Sequence, residues 1–392
     1  MTATFETTSG TAGQAVVYGD VPTGTTAVVL NPYAFNDEAT DPIEFSVTVE
    51  VTYEEQGKVR IGDEYFDTLV EAVDAAQSGD TIYLLDNLEG AGIGIFAADG
   101  DVKDFTIDFG GFTYTCVGPA VGSTGTQSQA FHLEKSADYT PNVTFKNGTI
   151  TAETGVGVKM LIQNYCNLTL TNMNLIGTTD TQYVLSNNFG NTVIDGNTSI
   201  TATAGNVAFD VCYANGSYKD GVSVTVNTTG TITGIIELGT WNAAGAATGA
   251  PDINDYLENA NLIINNVKLD GKIENKVGGL NEYESDTAET DEEKKAEYNE
   301  KLQKAIDING GTFAAGSEVE NYLPEGGYKT DAAGNIIVGK KNDSNRITGC
   351  IYLNEDYHAL IVNGRFIAQP HADNGSGFCT ACKGVIVADT AE

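Results

Sequence analysis

The chain of 392 residues carries 20 Lys+Arg against 54 Asp+Glu, a formal charge of −34, and 41% of it is hydrophobic. That apolar share excludes an acidic disordered chain, and the length exceeds what one small core needs. The charge excludes a phosphate-reading nucleic-acid surface, and no apolar run reaches the roughly 18 residues of a membrane span.

Residues 1–57 read as a small β-sandwich-like module. Strands are expected at Ala15-Val16-Val17-Tyr18, at Thr26-Ala27-Val28-Val29-Leu30 and along the alternating run Ile43 to Tyr53, with Pro22, Gly24 and Pro32 between them. The opening Met1-Thr2-Ala3-Thr4-Phe5-Glu6 has neither the basic nor the apolar region of a secretory signal. It is read as an unexported start or as mature-region residues behind an initiator Met.

Residues 58–340 change character. Val59 to Phe66 suggests a hairpin turning at Gly62-Asp63. Thr68-Leu69-Val70-Glu71 has capping-box spacing, and Leu69, Ala72, Val73 and Ala76 share one helical face. Ser78-Gly79-Asp80 stops that helix, and Thr81 to Leu85 enters a strand.

A bend motif then recurs: short alternating strand, Asn/Gly bend, second short strand. It occurs around Gly110, Asn147, Asn172, Gly196, Asn227, Asn265 and Asn309. From Asn147 onward the steps are 25, 24, 31, 38 and 44 residues, which calls for insertions in the later units. Units that cannot bury their own apolar face must stack on their neighbours. Two insertions are visible: a loop at 239–252 holding Trp241, and an acidic segment at 282–305 whose Thr290-Asp291-Glu292-Glu293 suggests a second capped helix running to Lys304.

Residues 61–87, the bends and the closing Gly310-Gly311-Thr312-Phe313 to Val338 stretch together resemble right-handed parallel β-helix domains in large surface proteins of anaerobic, often gut-dwelling bacteria. The resemblance implies an all-β fold: a right-handed parallel β-helix solenoid of the pectin-lyase-like kind, with a short N-terminal capping helix. It also implies an exported protein at the cell surface or outside the cell. Its partner would be a glycan or a host or cell-surface protein, bound along the long wall.

Enzymes use this fold too. Lyase chemistry of the Ca²⁺-plus-Arg type finds no Arg between residues 61 and 345, since only Arg60, Arg346 and Arg365 are present. Lys103, Lys146, Lys159 and Lys268 could stand in, but each reads as a solvated surface lysine. Hydrolysis of the polygalacturonase type needs paired carboxyls. Asp108, Asp195 and Asp210 are available for one face, but the NTD, DD and GHG signatures are missing and His132 is the solenoid's one histidine. The expectation is a non-catalytic binding scaffold, with a polysaccharide lyase or glycoside hydrolase as first rival and a phage tail-spike or structural β-helix as second. For sugar stacking the candidates are Trp241, Tyr183, Tyr213 and Tyr218, whose aromatic faces suit the C–H side of a pyranose.

Residues 341–392 form a small C-terminal module with Cys379-Thr380-Ala381-Cys382, His371 and Cys350. Two thiolates in C-x2-C spacing can face one Zn²⁺, so Cys350, His371, Cys379 and Cys382 are a candidate structural zinc set. A disulfide among the three cysteines, or free thiols, remains open. Cys116, Cys166 and Cys212 read as small buried side chains, with stapling between coils as the alternative. Calcium is a further candidate cofactor, although Asp252-Ile253-Asn254-Asp255 is only a fragment of a Ca²⁺ loop. Within residues 58–340 the six Asn-x-Ser/Thr sequons, at Asn142, Asn147, Asn167, Asn197, Asn215 and Asn227, follow from Asn-rich bends beside Thr-rich strands.

Overall fold

The computed structural model describes residues 57–96, 103–122, 127–242, 251–278, 291–303, 306–323 and 328–339, with isolated strands in 2–50, at 359–361 and at 385–387. The chain is mostly β, 53% strand. It divides into two units, 1–56 and 57–392. In the first unit the strands pair antiparallel: Thr2–Glu6 with Ala12–Val16, Ala27–Leu30 with Val47–Glu50, and Tyr33–Ala34 with Ile43–Glu44. Of the run expected from Ile43 to Tyr53, the described residues form the strands Ile43–Glu44 and Val47–Glu50, and a strand at Thr2–Glu6 joins the set.

The second unit opens with the hairpin Val59–Ile61 and Glu64–Phe66, then helix α1 (Leu69–Ala75). Both halves of the capping box form: Glu71 N donates to Thr68 Oγ1 at 3.2 Å, and Thr68 N donates to Glu71 Oε2 at 3.2 Å. These bonds satisfy orphan donors of the first turn. Leu69, Ala72 and Val73 are buried beneath it.

Beyond α1 the strands build three parallel ladders. The first passes from Thr81–Leu84 through Phe105–Asp108, Asn142–Ala152, Asn167–Ile176, Gly190–Gly196, Val222–Trp241 and Ala260–Lys276 to Ile306–Ile308. The second starts at Leu88–Gly90 and Thr113–Cys116, uses the later halves of the long strands and Ser199–Thr201, and ends at Gly311–Phe313. The third joins Ile93–Phe96, Gln129–Glu134, Met160–Asn164, Tyr183–Asn187 and Val207–Ala214 to the ends of Val222–Trp241 and Ala260–Lys276.

Each ladder stacks one apolar column. Ile82, Ile107, Phe145, Leu170, Ile194, Val226, Ile264 and Ile308 follow one another in register on the first. Ile93, Phe131, Ile162, Leu185, Phe209, Ile236 and Ile273 do so on the third. Phe131 meets Phe145 edge-on at 5.3 Å and Tyr114 at 5.5 Å, joining the three columns into one core.

The bends carry a second, polar stack. Asn147 and Asn172 sit at φ of 59° and 55°, the left-handed region that Asn tolerates better than most residues. Asn147 Nδ2 donates to Asp108 Oδ1 at 3.1 Å, Asn172 Nδ2 to Asn147 Oδ1 at 3.3 Å, and Asn197 N to Asn172 Oδ1 at 2.9 Å. The expected anchors slip by one at Asn227, which pairs with Asp195 and Asn266 rather than with Gly196 and Asn265. On the Asn266 side a register shift between Val226 and Asn227 is the cause.

Both insertions differ from expectation. Gly239–Trp241 are not loop: they extend the strand and pair with Cys212–Ala214. Helix α2 (Ile253–Asn259) follows, and helix α3 (Asp291–Leu302) ends before Lys304. Lys304 and the capping Thr290 lie outside the described residues. Asn299 of α3 accepts from Asn275 Nδ2 at 3.0 Å and from the Tyr322 hydroxyl at 3.3 Å, so α3 docks on the last strands. Ile336–Val338 closes the unit antiparallel to Gly311–Phe313.

Asn172→Ala removes two hydrogen bonds and puts a Cβ residue less suited to φ of 55° at the bend. The expected loss is about 2 kcal/mol in urea unfolding. Asn172→Gly, which keeps the backbone angle, should lose about half as much. Equal losses would mean that the left-handed angle contributes nothing.

Candidate functional site

The outward face of the third ladder concentrates the unusual chemistry. Gly94, His132, Gln163 and Ser186 occupy one register line, and Asp210, Glu237 and Glu274 occupy another that continues it. Ser186 joins the two by donating Oγ–H to Asp210 Oδ2 at 2.9 Å. These residues face outward because Phe131, Ile162, Leu185, Phe209 and Ile236, one position away, face the core.

Asp210 is 3% exposed. Its carboxylate also accepts from Asn187 N, and Asn187 Nδ2 returns a bond to Asp210 O at 3.0 Å. Burial pushes the Asp210 carboxyl well above the usual carboxylate range, and the neighbouring Glu237 charge pushes it further. Glu237 is raised by its own burial, while the Tyr183 hydroxyl and Lys276 pull it back. Tyr183 Oη donates to Glu237 Oε1 at 3.2 Å. Lys272 and Lys276 flank Glu274 at 3.3 and 3.8 Å. A carboxyl that keeps its proton in such a pair can itself serve as a general acid, provided a substrate reaches it.

Beside this line lies an aromatic group. Tyr218, in the short turn Gly216–Tyr218, stacks on Tyr165 with centroids 4.4 Å apart. Its hydroxyl donates to Glu134 Oε1 at 3.2 Å. The Lys135 ammonium sits 5.0 Å from the Phe189 ring and 5.9 Å from the Tyr218 ring. His132, 1% exposed, is packed between Phe96 and Tyr165, and neither ring nitrogen has a hydrogen-bond partner. Its Nε2 lies 3.4 Å from Glu134 Oε2.

Next to Phe189 a groove of 720 Å³ opens over the start of the first ladder. Asn167, Asn191, Ser223 and Asn261 line it, with Leu257, Glu258 and Asn259 of α2 at one side.

Four side chains were expected to stack on sugars, and they divide. Tyr183 and Tyr218 belong to the third-ladder strip. Trp241 is 45% exposed and projects four residues beyond Glu237 in the same strand, hence from the same face. Tyr213 is a correction: at 6% exposure it belongs to the core cluster, with its hydroxyl bonded to Lys219 O at 3.4 Å, so its ring has no free face. Asp108 and Asp195 stay apart from Asp210, on the first ladder, bonded to Lys146 at 3.3 Å and Asn227 at 3.3 Å.

The expected Ca²⁺ fragment has another job: Asp252 caps α2 by accepting from Asn254 N and Asp255 N, while Asp255 accepts from Asp252 N. Cys116, Cys166 and Cys212 are free thiols rather than staples, and burial raises the pKa of each. Cys350, His371, Cys379 and Cys382 lie outside the described residues. Among the described residues no cluster of three His, Cys, Asp or Glu is placed for a metal, and no helix is long and apolar enough to cross a membrane.

Sequence reasoning missed Glu134, Tyr165 and Glu237. The available signal was period-2 alternation: counting from Phe209 puts Val211 and Tyr213 inward and Asp210 and Cys212 outward. Comparison with family models, with curated proteins and with solved structures returns no match.

A carboxyl held above its ordinary range stabilises the fold at acid pH and loses that contribution as pH rises through its folded value. Unfolding free energy in urea should therefore fall as pH rises above the ordinary carboxylate range toward alkaline pH. Asp210→Asn keeps an acceptor for Asn187 N and turns an amide donor to the Ser186 hydroxyl, which can accept it, so it should flatten the slope and be the more stable protein at the alkaline end. An unchanged slope would assign the titration to other groups.

Proposed function

We propose that residues 58–340 form a right-handed parallel β-helix, and that the protein is a non-catalytic bacterial surface protein, exported from the cell, that binds a glycan along the third-ladder wall. The winding is supported by three ladders that advance together, one repeat per rung, with the stacked Asn147 and Asn172 bends 25 residues apart. The surface location rests on the resemblance of the capping segment, the bends and the closing strands.

The observation that carries the binding role is the strip on one face, where rings and carboxyls stand side by side: Tyr218, backed by the buried Tyr165, with Glu134, Tyr183 with Glu237, and exposed Trp241 beyond them. A sugar ring offers C–H faces and hydroxyl edges, and the strip offers a partner for each. Shallow contacts repeated along a wall suit binding by many weak sites. A cell-surface protein is the other partner class for the same wall.

One observation favours a second reading, glycoside hydrolysis. Asp210 and Glu237 are neighbours across one rung and both are raised by burial, which is the environment of a general acid.

Titration calorimetry against a panel of neutral and acidic glycans, with parallel assays for new reducing ends and unsaturated products, separates the readings. Binding without turnover is expected. Trp241→Ala should weaken it about fivefold, equivalent to about 1 kcal/mol for one stacking ring. Product release that disappears in Asp210→Asn and Glu237→Gln would replace binding by hydrolysis.

A further inference from the structure

We propose that the groove beside Phe189 continues the third-ladder strip through the Phe189–Tyr218 contact and is the part of the saccharide site that takes a linear chain free of anionic groups. This rests on the glycan-binding reading above and names the ligand class.

The groove sits where a hydrogen-bonded column of side chains stops. At its start Asn142 N and Nδ2 donate to Asp104 Oδ1 at 2.6 and 3.1 Å. Asn167 Nδ2 donates to Asn142 Oδ1 at 3.0 Å, and Asn191 N to Asn167 Oδ1 at 3.0 Å. The next two rungs place Ser223 and Asn261 in register with Asn191. There the pattern changes. Among the described residues, the side chains of Asn191, Ser223 and Asn261 make no hydrogen bond, although they repeat the position. An amide presents a donor and an acceptor together, the pair that a sugar hydroxyl can satisfy both ways. Rungs about 4.8 Å apart repeat that offer along the groove.

The floor is bare backbone. Gly190 and Gly221 have φ of 82° and 98°, and Gly190 N donates to Gly221 O at 3.1 Å. A Cβ on Gly190 would lie 2.5 Å from Cys166 O, and one on Gly221 would lie 2.3 Å from Asn259 O. No larger residue fits either position, so the groove keeps its depth. The end of α2 raises one side, and Phe189 links the other to the Tyr165–Tyr218 stack.

Charge sets the class of ligand. The lining includes Asp220, Glu258 and Asp307 and no Lys or Arg. Glu258 and Asp307 have no ion-pair partner among the described residues, and Asp220 meets only Lys219, at 3.8 Å. Carboxylates accept sugar hydroxyls in charge-assisted bonds but repel uronates and sulfates.

The test uses the full chain and calorimetric titration with neutral hexasaccharides of glucose, mannose and galactose, and with hexagalacturonate. At least one neutral probe should bind, with hexagalacturonate at least tenfold weaker. The double variant Asn191→Ala/Glu258→Gln should lose at least tenfold, while Asp270→Ala, on the second ladder, should not. Both changes are at exposed positions, and circular dichroism checks that the variants fold. Hexagalacturonate binding as tight as the neutral probes would overturn the proposal. So would full affinity in the double variant with loss in Tyr218→Ala, an outcome that leaves glycan binding by the wall intact. Absence of binding by every probe would overturn both.

Discussion

Parallel pairing of each strand with the strand one repeat earlier is the constraint on which the second unit depends. It forces the inward residue of every rung to match the residue above and below, which is why Ile82 to Ile308 run as one unbroken apolar column. No single repeat could bury that face, so stability is shared between neighbours. Extra residues can leave only at the corners, and α2 and α3 both emerge between ladder segments rather than within one. At the bends the same repeat stacks amide on amide, so a sequence rich in Asn satisfies polar groups that the turns would otherwise leave open.

The outward faces are free of that constraint, and the three ladders use the freedom differently. The first and second carry Thr, Ser, Lys and Asp in ordinary solvated contexts. The third places Asp210 and His132 under a polar and aromatic cover. Burying a carboxyl beside another carboxyl opposes folding at neutral pH, and a buried imidazole that makes no hydrogen bond adds to the cost. Expenditure of this kind away from the core column points to a role other than packing.

The bends, the capping box at Thr68–Glu71, the hairpin before it and the closing strand were legible because each depends on residues close in sequence. The third ladder was not. Met160–Asn164, Tyr183–Asn187 and Val207–Ala214 stand outside the recurring strand-bend-strand unit that marks the other two, and they follow connections of unequal length. Tyr213 alternates in step with Phe209 and Val211, a pattern that gives it a direction only once Phe209 is placed against the core. Trp241 was assigned to a loop because Gly239 and the Ala/Gly run after it look like one, whereas Cys212–Ala214 supply a strand for residues 239–241 to pair with.

By itself the sequence determined the repeating unit, the left-handed bends at Asn147 and Asn172 and the capped start, since a short-range pattern suffices for each. Its scarcity of arginine also ruled out one lyase chemistry on residues 61–345. Only the tertiary structure decided which polar groups meet. Glu134 and Tyr218 are 84 residues apart in the chain and 3.2 Å apart in space. Steps that vary from 24 to 44 residues hide such neighbours from any fixed period, and register between rungs is what brings them together.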